Sequence, residues 1–379
     1  MAGAFTSWLL FLAVLVNQSG RVMVPAVMTA ILADSQMPVD ADVRATYLAL
    51  VSAVCLGGKF LGGAITDTLG GWLVLIAVFI AFAASSALLI TTHSANAFGA
   101  AWLINSLAYT ITWGAACQVI GAAYDEKERP AQLTKIASAS RFGATLGSML
   151  FGTLLKSGMT WRMSLAPAIP AQALLAAVCM YEWSNSAKPA EKKATRSSTA
   201  KAAGKSADKG PSPWGYVVTL DFWLMFIPKV LIFTYTQFFM NFMAPLLHSS
   251  YGYGHGDASM MAGVGQGGSV IGLLVIGNMV YKGLPPKQQV VLVAIELIIC
   301  VIVPLMLAYP SALPFDISPI VVPLLSLWGC AYALPFYLPP GEFALKIGGK
   351  TAAALFTNLF DAGGAPPPAL TPEGSPSHT

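Results

Sequence analysis

Charge is what this sequence has least of. Only 10% of its 379 residues are Asp, Glu, Lys or Arg, against about a quarter in an ordinary soluble domain. With 56% apolar residues and a mean hydropathy of +0.66, such a chain cannot cover its own surface in water. A soluble enzyme, a nucleic-acid binder and a disordered scaffold are therefore excluded, and a polytopic membrane protein is left. Histidine is scarce as well. His93, His248, His255 and His378 fall in predicted loops or in the tail, so the clustered His/Asp sets of a membrane hydrolase are missing. No catalytic residues, no metal and no cofactor are expected. Cys55, Cys117, Cys179, Cys300 and Cys330 lie singly inside apolar runs without CxxC spacing; they read as small packing residues. No element repeats in the manner of a channel filter.

What is present is a succession of apolar runs. A spanning helix needs about 20 mainly apolar residues, which places helices at 6–33, 44–65, 69–91, 97–123, 133–157, 163–184, 217–247, 258–281, 287–309, 317–338 and 344–361. The fold class is all-α, with two bundles of the six-helix type and about 11 spans. Residues 1–184 form the first bundle and 216–361 the second. The stretch 185–215, rich in Ala, Lys and Ser, reads as a flexible basic linker. After 361 come Gly363, Gly364 and Pro366–Pro368, then a polar tail over 362–379. A twelfth apolar run is lacking, so the second bundle is expected to be short of one helix.

The formal charge of +4 belongs to the linker. Lys188, Lys192, Lys193, Arg196, Lys201, Lys205 and Lys209 stand there against Glu191 and Asp208, so the rest of the chain is close to neutral and offers no basic face to nucleic acid. Loops on the linker's side of the membrane, Lys127, Arg129, Lys135, Lys282 and Lys287 included, carry most of the basic residues. The opposite face has Arg44, Lys156 and Arg162. Basic residues mark the cytoplasmic side, so the N-terminus and the linker are expected there.

A Lys or Arg at the centre of a span costs about 2.5–3.5 kcal/mol on insertion scales, and each asks for a reason. Arg21, Lys59, Arg141 and Lys229 all fall inside predicted spans, and Glu296 is the one comparably deep acid. A substrate anion is the simplest balance, although Lys59 and Lys229 lie near enough to helix ends to snorkel. Asn17, one turn before Arg21, shares its face. Arg141 continues a polar stripe of Thr134, Ser138, Thr145 and Ser148 at helical spacing. Tyr235, Gln237 and Asn241, with Asn105 and Tyr109, are neutral hydrogen-bonding candidates, or simply bonds between helices. Glu296 is a candidate for proton coupling or a neutral packing residue. Four GxxxG pairs (Gly58/Gly62, Gly143/Gly147, Gly263/Gly267, Gly268/Gly272) read as close-packing surfaces.

Between the second and third helices stands Gly63-Ala-Ile-Thr-Asp67-Thr-Leu-Gly70-Gly71-Trp72. It resembles the cytoplasmic loop signature of the major facilitator superfamily, and the glycine-rich run from Arg141 to Gly152 is similar to that family's fifth helix. The resemblance implies a carrier working by alternating access between two helical halves, with Gly63, Asp67 and Gly70 in a gating role. The family's basic residues after the aspartate are here Thr68, Gly71 and Trp72. Gly58-Lys59-Phe60 is also similar to helix two of the organophosphate–phosphate antiporters, which implies an organic anion or phosphorylated metabolite as substrate. The alternatives are a proton-coupled carrier of a neutral solute and a non-transporting receptor or assembly partner. The expected partners are a small anionic solute and the lipid bilayer, with no nucleic acid, and the protein is expected to be monomeric.

Overall fold

A computed structural model describes residues 2–125, 127–197, 214–337, 339, 340 and 343. The eleventh predicted helix (344–361), the tail and residues 198–213 lie outside the described residues.

The chain is all-α. Helices run α1 (Ala2–Leu32), α2 (Ala41–Leu69), α3 (Gly71–Thr91), α4 (Ala95–Ala123), α5 (Arg129–Lys156), α6 (Trp161–Leu165) and α7 (Ala168–Ser197). After the undescribed stretch come α8 (Trp214–Val217), α9 (Leu220–Tyr251), α10 (His255–Ile271), α11 (Pro286–Ala308) and α12 (Ser318–Tyr337). The α10 axis is continued by a π-helix over Gly272–Val280. Because the long helices alternate in direction, the bundle has a near end, at Ala2 and Ser197, and a far end, at Leu32 and Lys156.

Local chemistry sets most boundaries. The Asp40 carboxylate caps α2 by accepting from the Val43 N–H at 2.8 Å. Thr160 and Thr219 cap α6 and α9 in the same way, as short side-chain oxygens do at helix starts. Gly70 turns the chain between α2 and α3 with φ +85°, a conformation that suits glycine. Two predicted boundaries differ. The sixth predicted helix breaks into α6 and α7 around Pro167, which has no N–H to donate. The backbone of α7 then continues to Ser197 rather than ending at 184, because Ala, Lys and Glu are strong helix formers in spite of their polarity.

Among the described residues, seven segments have the length and apolar content to cross a membrane, among them α3, α9, α11 and α12. On α11, Val290, Val291, Ile298, Val301 and Leu305 point outward while Glu296, Cys300, Val303 and Leu307 face in. An apolar outer face of this kind has lipid, not water, as its solvent. The protein is an integral, multi-pass membrane protein. Large side chains fill each half: Leu10, Phe79, Phe82 and Ile120 in the first, Met243, Trp328 and Tyr332 in the second.

All four GxxxG pairs lie at helix contacts. Gly58 and Gly62 face α4, Gly143 and Gly147 face α1, Gly263 and Gly267 face α5, and Gly268 and Gly272 face α12. A Cβ on Gly143 would stand 2.1 Å from the Leu15 carbonyl oxygen. Gly143→Ala must therefore push α1 from α5, at a cost of about 1–3 kcal/mol. The expected result is a lower melting temperature in detergent; an unchanged one would mean that this contact yields freely.

Candidate functional site

Two adjoining cavities lie between the halves. One, of about 870 Å³, takes its walls from α1, α2, α4, α5, α9 and α12, with Asn17, Arg21, Lys59, Arg141, Lys229 and Gln237 among them. The other, of about 950 Å³, lies farther toward the far end, where Pro25, Ser52, Trp102, Asn241 and Gln266 line it. Arg21, Lys59, Tyr109, Phe233 and Gln237 line both and form a waist. Among the described residues, neither lining contains an Asp or a Glu.

The helical register explains the convergence. Asn17 and Arg21 are four residues apart on α1 and so share one face. Asn17 donates to Thr112 Oγ1 at 2.6 Å, which fixes the rotation of α1 against α4. Arg21 donates to Tyr109 Oη at 3.1 Å and lies 4.4 Å from the centre of the same ring. Lys59 Nζ stands 4.9 Å from the centre of Phe233, and Lys229 Nζ 5.9 Å from that same ring. Lys229 also donates to the Phe336 carbonyl at 2.7 Å, so its ammonium is held against α12. Arg141 donates to Tyr332 Oη at 2.8 Å and sits 4.9 Å from the Tyr337 ring, while its Nε has no partner. Cations against aromatic faces are held by the ring quadrupole at about 0.5–2 kcal/mol each. For Arg21 and Arg141 that is well short of a neutralising carboxylate in low dielectric.

The predicted residues separate on this geometry. Asn17, Arg21, Lys59, Arg141, Lys229, Gln237 and Asn241 line the cavities. Tyr235 does not; its hydroxyl donates to the Cys300 carbonyl inside the second half. Asn105 is buried off both cavities with Nδ2 unpartnered. Glu296 is 3% exposed on α11, outside both linings, with neither carboxylate oxygen bonded. The surroundings of Gly63 and the side chain of Asp67 lie outside the described set; Gly70 makes the turn after α2.

Four residues at or beside the cavities escaped the sequence reading. Arg44, taken there as a loop charge, begins α2, donates to the Asn241 carbonyl at 3.3 Å and stands over Phe242. Tyr332 and Phe233 are aromatic residues in aromatic-rich helices, and nothing in their spacing marks them. Gln266 did carry a signal, as a lone amide amid the glycines of α10.

The halves meet tightly at the far end. Gly152 and Gly256 put α5 and α10 backbone to backbone: a Cβ on Gly256 would stand 2.6 Å from Lys156 N. Ser259 donates to the Ser148 carbonyl at 3.1 Å, and Lys156 pairs with Asp257 at 2.7 Å. In the same region Trp161 and Arg162 hold the Asp34 carboxyl below the ordinary carboxylate range. That clamp is present at neutral pH and weakens as acidification protonates Asp34.

The family model described as the Major Facilitator Superfamily matches residues 10–365, and the chain belongs to that family. No curated protein matches it in sequence. Among solved structures it is similar to a point variant of the nucleoside transporter NupG, with a TM-score of 0.67 at 15% identity, over 95% of this chain and 89% of that one. It is also similar to a bacterial homologue of the human lysosomal transporter Spinster in an inward-facing, occupied conformation. There the TM-score is 0.63 at 12% identity, over 96% of this chain and 79% of the other. At such identities the likeness shows the fold alone. The organophosphate–phosphate antiporter branch finds no support among these matches.

Proposed function

We propose that this protein is a secondary active transporter of a small organic anion, phosphorylated metabolites included, working by alternating access between its two halves. One observation supports this above the rest: four cationic side chains line one cavity whose described walls hold no carboxylate. Arg21→Gln should then abolish uptake of anions into proteoliposomes while the protein still inserts. Unchanged uptake, or preference for neutral solutes in a mixed panel, counts against the reading.

A proton-coupled carrier of neutral solutes needs Glu296 in the cavity, and its position on α11 does not favour that. A non-transporting receptor would suit a collapsed centre better than two cavities of about 870 and 950 Å³. The proposed carrier is a monomer with its N-terminus and the 185–215 stretch cytoplasmic. Trypsin should cut between Lys192 and Lys209 only when added from the cytoplasmic side; cutting from the other side alone reverses the orientation.

A further inference from the structure

Besides the contact of Gly152 with Gly256, a second bond crosses between the halves toward the far end, and a proline creates it. Pro245 lies inside α9. It has no N–H, so the carbonyl four residues earlier, that of Asn241, loses its donor within the helix. A backbone carbonyl freed in this way inside a membrane protein needs a partner from elsewhere. Arg44, in the first turn of α2, supplies one. Its Nη2 donates to the Asn241 carbonyl at 3.3 Å, and its guanidinium lies 4.5 Å from the centre of the Phe242 ring. Helix α2 belongs to the first half and α9 to the second.

The donor is as unusual as the acceptor. Arg44 is 9% exposed, and among the described residues no carboxylate pairs with it. A buried guanidinium ordinarily finds an acid; this one has a carbonyl and an aromatic face. The bond is also made at the wall of the far-end cavity. Asn241 lines that cavity, and its side-chain amide donates to the Gln237 carbonyl at 2.9 Å.

Resting on the alternating-access reading above, we infer that Arg44 is a latch of the far end: it holds α2 to α9 by donating to the carbonyl that Pro245 frees, and so sets how often that end opens. Opening parts the two helices and lets water take the place of each partner. A hydrogen bond from a charged donor biases a two-state equilibrium by about ten- to a hundredfold. That bias is what Arg44 adds to the closed state.

The chain carries its own reporter. Cys55 lies about three turns along α2 from Arg44 and lines the far-end cavity, whereas Cys117, Cys179, Cys300 and Cys330 line neither cavity. A membrane-impermeant thiol reagent added at the far face reaches Cys55 when that end is open. The test is the alkylation rate of Cys55 in the full-length protein in sealed vesicles, read on its peptide by mass spectrometry. Arg44→Met should raise the rate about tenfold or more. Pro245→Ala returns an N–H to α9, which takes the Asn241 carbonyl from Arg44, so it should raise the rate as well. With Ala at 245, Arg44→Met should then add less than about twofold. Phe242→Leu keeps the carbonyl bond and should do less than Arg44→Met. An unchanged rate in Arg44→Met overturns the inference, whatever happens to the melting temperature, because Arg44 would then only support the fold. Effects of Arg44→Met and Pro245→Ala that multiply independently also overturn it, since Arg44 would then act without the freed carbonyl. Gly256→Val disturbs the backbone contact at the same end and tests alternating access itself. If it speeds Cys55 alkylation and Arg44→Met does not, the latch fails and alternating access stands. If neither does, alternating access between these halves fails too.

Discussion

Arg141→Gln should weaken anion binding by about tenfold to a hundredfold. The guanidinium is 6% exposed, joins α5 to α12 through Tyr332 at 2.8 Å, and keeps Nε unpartnered beside the basic cavity. A hydrogen bond to a charged group is worth about 1.5–3 kcal/mol, and each 1.4 kcal/mol is a factor of ten in affinity. Arg141→Lys should recover only part of this, because an ammonium lacks the planar fork. Tyr332→Phe removes the cross-half bond and keeps the charge, and should cost less than Arg141→Gln. Equal losses for Tyr332→Phe and Arg141→Gln would make Arg141 a bridge between halves instead of an anion ligand. Unchanged affinity in Arg141→Gln would remove it from the site.

Gly256→Val should stop turnover without unfolding the protein. A Cβ there meets Lys156 N at 2.6 Å and the Gly152 carbonyl at 2.7 Å. Both are backbone atoms, which cannot swing aside as a side-chain tip does. Overpacking of this kind costs about 1–3 kcal/mol, here charged to the conformation in which the far end is closed. The equilibrium between the two access states shifts accordingly. Uptake should fall at least about tenfold, and a cysteine in place of buried Ser259 should become reactive to reagents added at the far face. The Lys156–Asp257 pair in the same contact is 59% and 36% exposed, and exposed pairs contribute only about 0–1 kcal/mol. Asp257→Asn should therefore change uptake much less. If Asp257→Asn stopped uptake while Gly256→Val did not, the ion pair and not backbone contact would close this end.

Membrane residence and the all-α class follow from composition and from apolar run length alone, since a bilayer leaves a chain almost no other way to satisfy its backbone. The family, too, was legible in the glycine and aspartate spacing around Gly63, Asp67 and Gly70. Arg21, Lys59, Arg141 and Lys229 could be singled out one at a time, because each breaks the solvent rule of the segment that carries it. Their convergence could not. Whether a residue on α2 shares a cavity with residues on α5 and α9 depends on helix rotation and packing, fixed by contacts such as Asn17 to Thr112 and Gly143 to Leu15, far apart in sequence. The same limit explains Tyr235, Asn105 and Glu296. As polar residues in spans they look no different from Gln237, and only the side of the helix each occupies separates them. Helical periodicity says which residues share a face; tertiary packing decides what that face meets.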